Sequence, residues 1–476
     1  MDYDNLASLP AMFFANTSAI GDRPFLWAKC GGDWRPTTGS DACKKATALT
    51  NALASLGVSK GDRVALIAES RPEWLIADIA IMAAGGISVP AYTTNQVGDH
   101  VHILRDSGAK AAIVSGPALA KNLLPAAAEV GLEFVITMEP LPDPPDGMRL
   151  HIWDELISTG GDGVPDVGSI TRSDTSCLIY TSGTGGVPKG VMLSHGAIIS
   201  NCKGAYHLLL ELGLDDEKFL SFLPLSHSYE HTAGLMFPLS IMAEIYYAES
   251  VDKLAANMEE VSPTIMTAVP RLYETMHGRI VRGVQQKGGL SEKLFMKAVE
   301  TGRKKYEGER LGLGDALLDP LLTKLVRKKV AGRFGGQLKA MVSGGAPLNY
   351  DIGTFFKSLD VPLLQGYGQT ESAPIISCNL PTKNKIHTVG PHFVDVELKI
   401  ADDGEILVKG ELVMQGYWNM PEATSEAITD GWLHTGDIGK IDEDGFLMIT
   451  DRKKDIIVNS GGDNIAPQRI EGFLTL

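Results

Sequence analysis

Tyr180-Thr181-Ser182-Gly183-Thr184-Gly185-Gly186-Val187-Pro188-Lys189-Gly190 decides how the chain is read. The small or hydroxylated residues 181–186 leave the backbone free to fold round an anion. They offer it successive N–H groups and three hydroxyls. Pro188 and Lys189 close the loop. A nucleotide P-loop of the Walker kind needs Gly-Lys-Ser/Thr opening a helix, whereas this lysine follows proline and precedes glycine. The stretch is a phosphate loop of a different kind.

Outward from it, apolar strands alternate with amphipathic helices. The spacing predicts helices over 40–56 (capped by Ser40 and Asp41), 71–84, 101–106 and 119–130, and strands over 63–68, 87–92, 109–114 and 134–138. That alternation implies parallel sheets covered on both faces. After the loop, Ser221-Phe-Leu-Pro-Leu-Ser-His-Ser-Tyr-Glu-His231 leads into a small-residue helix over 232–242, and 253–268 reads as helix then strand. Beyond residue 390, period-two strands over 394–400, 404–410 and 445–449, split by Asp-Gly turns, form a small β-rich lobe.

Two further turns carry chemistry. Val342-Ser-Gly-Gly-Ala-Pro-Leu348 and Leu363-Leu-Gln-Gly-Tyr-Gly-Gln-Thr-Glu-Ser372 each read as a strand running into glycines, at the sheet edge where open α/β folds bind ligands. Gly344 and Gly345 remove side chains that would block a purine, and Tyr367 offers a flat face to stack on it. Thr370 supplies a hydroxyl for phosphate. Glu371 supplies a hard carboxylate oxygen suited to Mg²⁺ on a nucleotide. His227, Glu230 and His231 also admit a metal site, but Pro224 places His227 ahead of the helix, so the two histidines do not share a helical face.

The composition sets bounds. A chain of 476 residues, 44% hydrophobic and 21% charged, is long enough for several packed lobes. Its net charge of -15 argues against nucleic acid as a partner. Residues 270–339 depart from this, with 16 Lys plus Arg against 7 Asp plus Glu. This segment reads either as the solvated face of a surface helix pair or as a contact with an anionic membrane leaflet. Five cysteines without a C-x-x-C spacing point to a reducing compartment, and the acidic N-terminus lacks the look of a signal peptide. The expectation is a cytoplasmic protein, peripheral at most to the inner face of a membrane.

The phosphate loop, the Gly-Tyr-Gly-Gln-Thr-Glu string, Gly410 to Trp418, Trp432-Leu-His-Thr-Gly-Asp437 and Asp451-Arg-Lys-Lys454 in this order resemble the AMP-forming adenylating superfamily, and most of all its long-chain fatty acyl-CoA synthetases. Gly185 stands where the family usually has a second threonine. The resemblance implies an α/β fold: a large N-terminal domain, residues 1–452, of two parallel-type sheets layered with helices, with a β-rich subdomain at about 391–450. Residues 453–476 would be the hinge and first residues of an α+β lid, largely absent. It implies activation of a long-chain fatty acid by ATP to acyl-AMP, then transfer to coenzyme A, with Mg²⁺. It assigns Lys189, Thr370 and Glu371 to catalysis, Glu371 also to the metal. It assigns Thr181, Ser182, Gly183, Thr184, Gly185, Gly344, Gly345, Ala346, Gln365, Gly366, Tyr367, Gly368, Asp437, Ile449 and Arg452 to the nucleotide, with Asp437 on the ribose. His227, Tyr229 and Gly234 would line the acyl pocket, and Lys454 would be the hinge. A ligase that loads a carrier protein, a nucleotide- and acyl-binding module with little turnover, and a luciferase-like oxidase stay open beside it. Oligomeric state is not legible.

Overall fold

The structure, a computed structural model, describes residues 2–142, 147–181 and 187–453, with the backbone of the short strands Ile457–Val458 and Asn464–Ile465. Among the described residues two eight-stranded sheets carry the fold. The first has Lys218–Ser221, Ile265–Ala268, Ala340–Ser343 and Leu363–Gly368 side by side and parallel, with Glu244–Tyr247 and Pro24–Cys30 beyond Lys218–Ser221. The second has Thr175–Thr181, Ile87–Pro90, Arg63–Ile67, Ala111–Val114, Phe134–Thr137 and Leu150–Ile152 in parallel order. Antiparallel strands close the edges, among them Lys189–Ser194 against Thr175–Thr181.

Strand residues divide by parity between two cores. Val64 and Leu66 enter a core shared by both sheets, while Ala65 and Ile67 enter a second one on the far face. In the first sheet Ile265 and Leu364 face the shared core, and Met266 and Leu363 face outward. Both faces of each sheet are therefore covered, which is why these strands read as unbroken apolar runs. Each fully buried Leu or Ile stabilises the fold by about 1.5–3 kcal/mol. The helix Pro72–Ala83, with Trp74 fully buried, lies in the shared core.

Several elements differ from expectation, each for a local reason. The helix expected at 40–56 is Gly39–Ser55, and its cap is Thr38, whose hydroxyl accepts from the Asp41 N–H at 3.1 Å. Asp41 is thus a first-turn acid rather than the cap. The helix expected at 101–106 is Val97–Ser107, because Asp99 reaches back to the Gln96 N–H at 2.9 Å and starts the helix a turn early among polar residues. The helix expected over 232–242 is a π-helical turn, Glu230–Met236, followed by Phe237–Ser240. Pro238 has no N–H to donate within a regular helix, and the wider turn accommodates it. The basic segment is four α-helices rather than a pair: Pro270–Lys287, Gly289–Tyr306, Leu313–Leu322 and Lys328–Arg333, the last two joined by the π-turn Thr323–Arg327. Buried Arg327 ties the second and third of them together through Asp319 at 2.8 Å, Thr301 at 2.9 Å and the Ala298 carbonyl, and also donates to the Ser358 carbonyl.

The β-rich lobe is a five-stranded antiparallel sheet of Glu397–Ile400, Glu405–Lys409, Ile428–Thr429, Trp432–Ile441 and Leu447–Arg452. Gly404, Gly431 and Gly445 follow aspartates with φ of 86°, 78° and 82°, the left-handed conformation that these turns require. Within the same span, Gly416–Tyr417 pairs instead with Lys189–Ser194 of the second sheet. That strand brings the lobe side of the chain alongside the strand that begins at Lys189.

Candidate active site

The loop sits on a hairpin whose last pair is Thr181 opposite Lys189. Ser182, Gly183, Thr184 and Gly185 lie outside the described residues, as does Lys454. Lys189 Nζ stands 4.8 Å from the Tyr417 ring centroid, a cation–π distance. The Tyr417 hydroxyl donates to Glu371 Oε1 at 2.8 Å. Burial and the Glu371 charge push the Tyr417 phenol well above its ordinary range, so it remains a donor. Lys189 and Glu371, 182 residues apart in sequence, are thus joined through one ring.

Glu371 lies in the short turn Thr370–Ser372, directly after the strand Leu363–Gly368. The turn passes so close to the chain ahead of it that a Cβ on Gly368 would fall 1.8 Å from the Pro374 carbonyl oxygen. The Met414 N–H donates to the Glu371 carbonyl at 2.8 Å. Thr370 Oγ1 and Ser228 Oγ are 2.9 Å apart. Glu371 is half-buried and keeps Oε2 free of protein hydrogen bonds among the described residues.

At the other end of this strand tip, the Tyr367 hydroxyl donates to Asp437 Oδ2 at 2.6 Å, and Arg452 Nε is 3.5 Å from Asp437 Oδ1. Asp437 and Arg452 are cross-strand partners, with half-buried Ile449 opposite Gly439 on the same pair of strands. Burial raises the Asp437 carboxyl above its ordinary value, while the Tyr367 hydrogen bond and Arg452 oppose the rise. Gly344, Gly345 and Ala346 form the neighbouring turn, with Gly345 at φ 82°. A side chain at Gly344 would meet the Tyr229 ring at 3.0 Å. Gln365 is committed elsewhere: its amide accepts from the Leu348 N–H and donates to the Ile386 and Thr388 carbonyls. Its side chain shapes the strand end, and half-buried Gly366 follows it.

Residues 227–234 form the third side. His227, exposed at the rim, accepts from the Tyr229 N–H at 3.1 Å through Nδ1, and its crowded setting lowers its pKa. The next four residues each grip a different part of the molecule. Ser228 meets Thr370, and Tyr229 donates to the Val342 carbonyl at 2.9 Å. Glu230 accepts from Ser221 at 2.6 Å and from Thr267 at 2.5 Å, and His231 Nε2 pairs with Asp78 Oδ2 at 2.9 Å. Glu230 is fully buried, and burial pushes its carboxyl up to about 7. A Cβ at Gly234 would fall 2.4 Å from the Glu230 carboxyl carbon, so the glycine makes room for that group. Because Glu230 and His231 bind different elements, they do not converge on an ion. Among the described residues no three His, Cys, Asp or Glu side chains gather as a metal cluster.

Sequence reasoning missed Tyr417, Ser228 and Asp78, and weighed Glu230 only as a metal ligand. Tyr417 stands in the Gly-Tyr-Trp string, and Ser228 and Glu230 flank Tyr229, so their motifs pointed at them. Asp78, buried in an apolar helix, carried the signal of a charge without a local partner. A separate cleft of about 560 Å³ runs past Arg71, Glu73, Glu139, Lys29 and Glu249. These five pair among themselves and add no side chain to this site.

Two mixed sheets sharing a core, with a β-rich lobe beside them, define a class of fold that solved CoA synthetases share. The o-succinylbenzoate CoA synthetase MenE of Bacillus subtilis, solved with its acyl-adenylate intermediate OSB-AMP, superimposes with a TM-score of 0.73 over 97% of this chain and 82% of that one, at 21% identity. The chain belongs to the AMP-binding enzyme family, whose sequence profile matches residues 13–418. It is 34% identical over 485 residues to the long-chain-fatty-acid–CoA ligase FadD15 of Mycobacterium bovis, covering 99% of this chain and 78% of that protein. Fatty acyl-CoA synthetase A of Dictyostelium discoideum is 28% identical, over 96% of this chain and 70% of its own length.

Proposed function

We propose that this chain activates a long-chain fatty acid with ATP and passes the acyl group to coenzyme A. A fatty-acid carboxylate oxygen attacks the α-phosphorus, the bond to the bridging oxygen of pyrophosphate breaks, and acyl-AMP forms. The coenzyme A sulfur then attacks the acyl carbon, AMP departs with the bonding electrons, and the thiol proton is released. The protein's part is positioning and neutralisation of developing charge. The observation that carries the reading is the Lys189–Tyr417–Glu371 line beside Thr370. It sets a cation, a hydroxyl and a carboxylate round the base of the phosphate loop.

In this reading Lys189 draws negative charge off the phosphates, and Thr370, held by Ser228, offers its hydroxyl to the α-phosphate. Asp437 accepts from the ribose hydroxyls, Tyr367 and the turn at Gly344 to Ala346 hold the purine, and Ile449 and Arg452 border it. His227, Tyr229 and Gly234 stand on the acyl side. Glu371 fits Mg²⁺, which retains water and phosphate ligands and asks a protein for one or two carboxylates. When bound, the ion would neutralise phosphate charge.

ATP–pyrophosphate exchange across a ladder of fatty acids, followed by thioester detection with coenzyme A, tests the proposal. Exchange that depends on long-chain acids and a thioester product are expected. Exchange indifferent to added acid would overturn it.

A further inference from the structure

The helix Leu313–Leu322 is apolar on both sides. Its inner face is conventional: Leu322 is fully buried, and Val326 and Val330 continue the row into the core on the outer face of the first sheet, with Met266 and Leu363. Its exposed residues are Leu313, Gly314, Ala316, Leu317, Pro320 and Leu321, without one polar side chain among them. Leu313 is 88% exposed, Leu317 83%, Leu321 46% and Leu325, one step on, 37%. Four leucines at i, i+4 spacing form one stripe. Surface leucines are common singly, but a contiguous stripe rimmed by charge marks a contact surface.

The rim is predominantly basic, with one exposed acid, Glu309, beside Arg310. Asp315 and Asp319, the two acids of this helix, turn away from the stripe: Asp315 pairs with Lys297 at 2.8 Å and with Lys304, and Asp319 pairs with Lys305 and with buried Arg327. Lys324 lies in the π-turn that continues this helix, and Lys328 opens the helix after it. They, with Arg310 and Lys329, are exposed and have no ion pair among the described residues. An apolar stripe ending in free cations is the pattern of a helix that lies in a lipid interface, its leucines among the acyl chains and its lysines at the headgroups. A second copy of this chain would set the same lysines against themselves across a two-fold contact. No helix among the described residues is long and apolar enough to cross a membrane.

We propose that the Leu313–Leu317–Leu321–Leu325 stripe with Arg310, Lys324, Lys328 and Lys329 docks this protein on the surface of an anionic membrane. The docking is reversible, because one short helix gives limited apolar burial. The stripe belongs to the helices between the strands Ile265–Ala268 and Ala340–Ser343. The inference stands apart from the adenylation reading, since it uses none of the site residues.

The test is co-sedimentation of the purified chain with vesicles of phosphatidylcholine alone, and with about one-third phosphatidylglycerol. Binding should be at least about tenfold stronger to the anionic vesicles and should weaken with salt. The double variant Leu313→Ser/Leu317→Ser should lose about tenfold or more of it. Lys324→Glu/Lys328→Glu should lose the preference for anionic lipid. All these side chains are exposed, so urea midpoints should stay where they are; Leu321→Ser alone provides a milder variant if the double one is unstable. Equal binding to both vesicle types, or anionic binding untouched by the leucine changes, would overturn the proposal. So would a dimer in sedimentation equilibrium that the leucine variants dissolve while vesicles bind neither form.

Discussion

Three carboxylates, two of them with a tyrosine partner, carry predictions at the scale of single residues. Glu371→Gln keeps shape and removes charge, so acyl-AMP formation should fall by about 10²-fold or more, the usual effect of losing one electrostatic stabiliser. Tyr417→Phe keeps the ring under Lys189 and removes only the hydrogen bond to Glu371, so its loss should be about tenfold or less. Pyrophosphate exchange with both variants decides it, and equal losses would mean that the tyrosine hydroxyl matters as much as the charge. Asp437 must be ionised to accept from two ribose hydroxyls, and its pKa is raised by burial. AMP affinity should therefore fall as pH drops through that raised value. Because the Tyr367 hydroxyl holds the pKa down, Tyr367→Phe should move the fall to higher pH, whereas Asp437→Asn should bind weakly and without that dependence. Calorimetric titration at stepped pH measures both. Glu230 tests stability. The unfolded chain releases this proton at the ordinary carboxylate pKa and the folded one keeps it to about 7. The folded state thus binds more protons across that window, and stability falls as pH rises through it. Glu230→Gln should flatten this slope in urea midpoints taken at about pH 5 and 8. Parallel slopes would sink the assignment.

Among the elements, the turns at the ends of Ala340–Ser343 and Leu363–Gly368 explain why glycine motifs were legible and what they were for. Gly368 is set by the Pro374 carbonyl, which is backbone and has nowhere to go. Gly368→Ala should cost about 3 kcal/mol or more, the range of severe overpacking. Gly344 meets the Tyr229 ring, which can shift by tenths of an ångström, so Gly344→Ala should disturb acid use more than stability. Chemical denaturation of the two variants separates the cases; similar midpoints would show that the Pro374 contact yields. The strands and most helices were legible because parity and 3.6-residue periodicity are imposed by cores on both sides of each sheet. Thr38 as a cap and the π-turn at Glu230 were not, since one depends on where the chain enters the helix and the other on anchors far away in sequence. The five-helix run after Pro270, π-turn included, looked like an ordinary charged surface because its acids and bases alternate in sequence; only folding sorts Asp315 and Asp319 inward and leaves the leucines out.

At the scale of the molecule, the site draws on both eight-stranded sheets and the lobe: Tyr367 and the turn that holds Glu371 from the first, Lys189 and Tyr417 from the second, Asp437 from the lobe. Local pattern could nominate these residues but not seat them together, because every contact among them spans a long separation in sequence. What holds the assembly is residues 228–231, with Thr370, Val342, Ser221, Thr267 and Asp78 as their partners. A segment fastened in this way has no private route to solvent. Its amide protons, including the His231 N–H bonded to the His227 carbonyl at 2.9 Å, should trade for deuterium only when the entire domain opens, and so keep time for global unfolding. Mass spectrometry of the peptide that contains them, followed over hours, should give one slow rate equal to that of the Trp74 helix. A faster rate would reveal that the site breathes independently of the sheets around it.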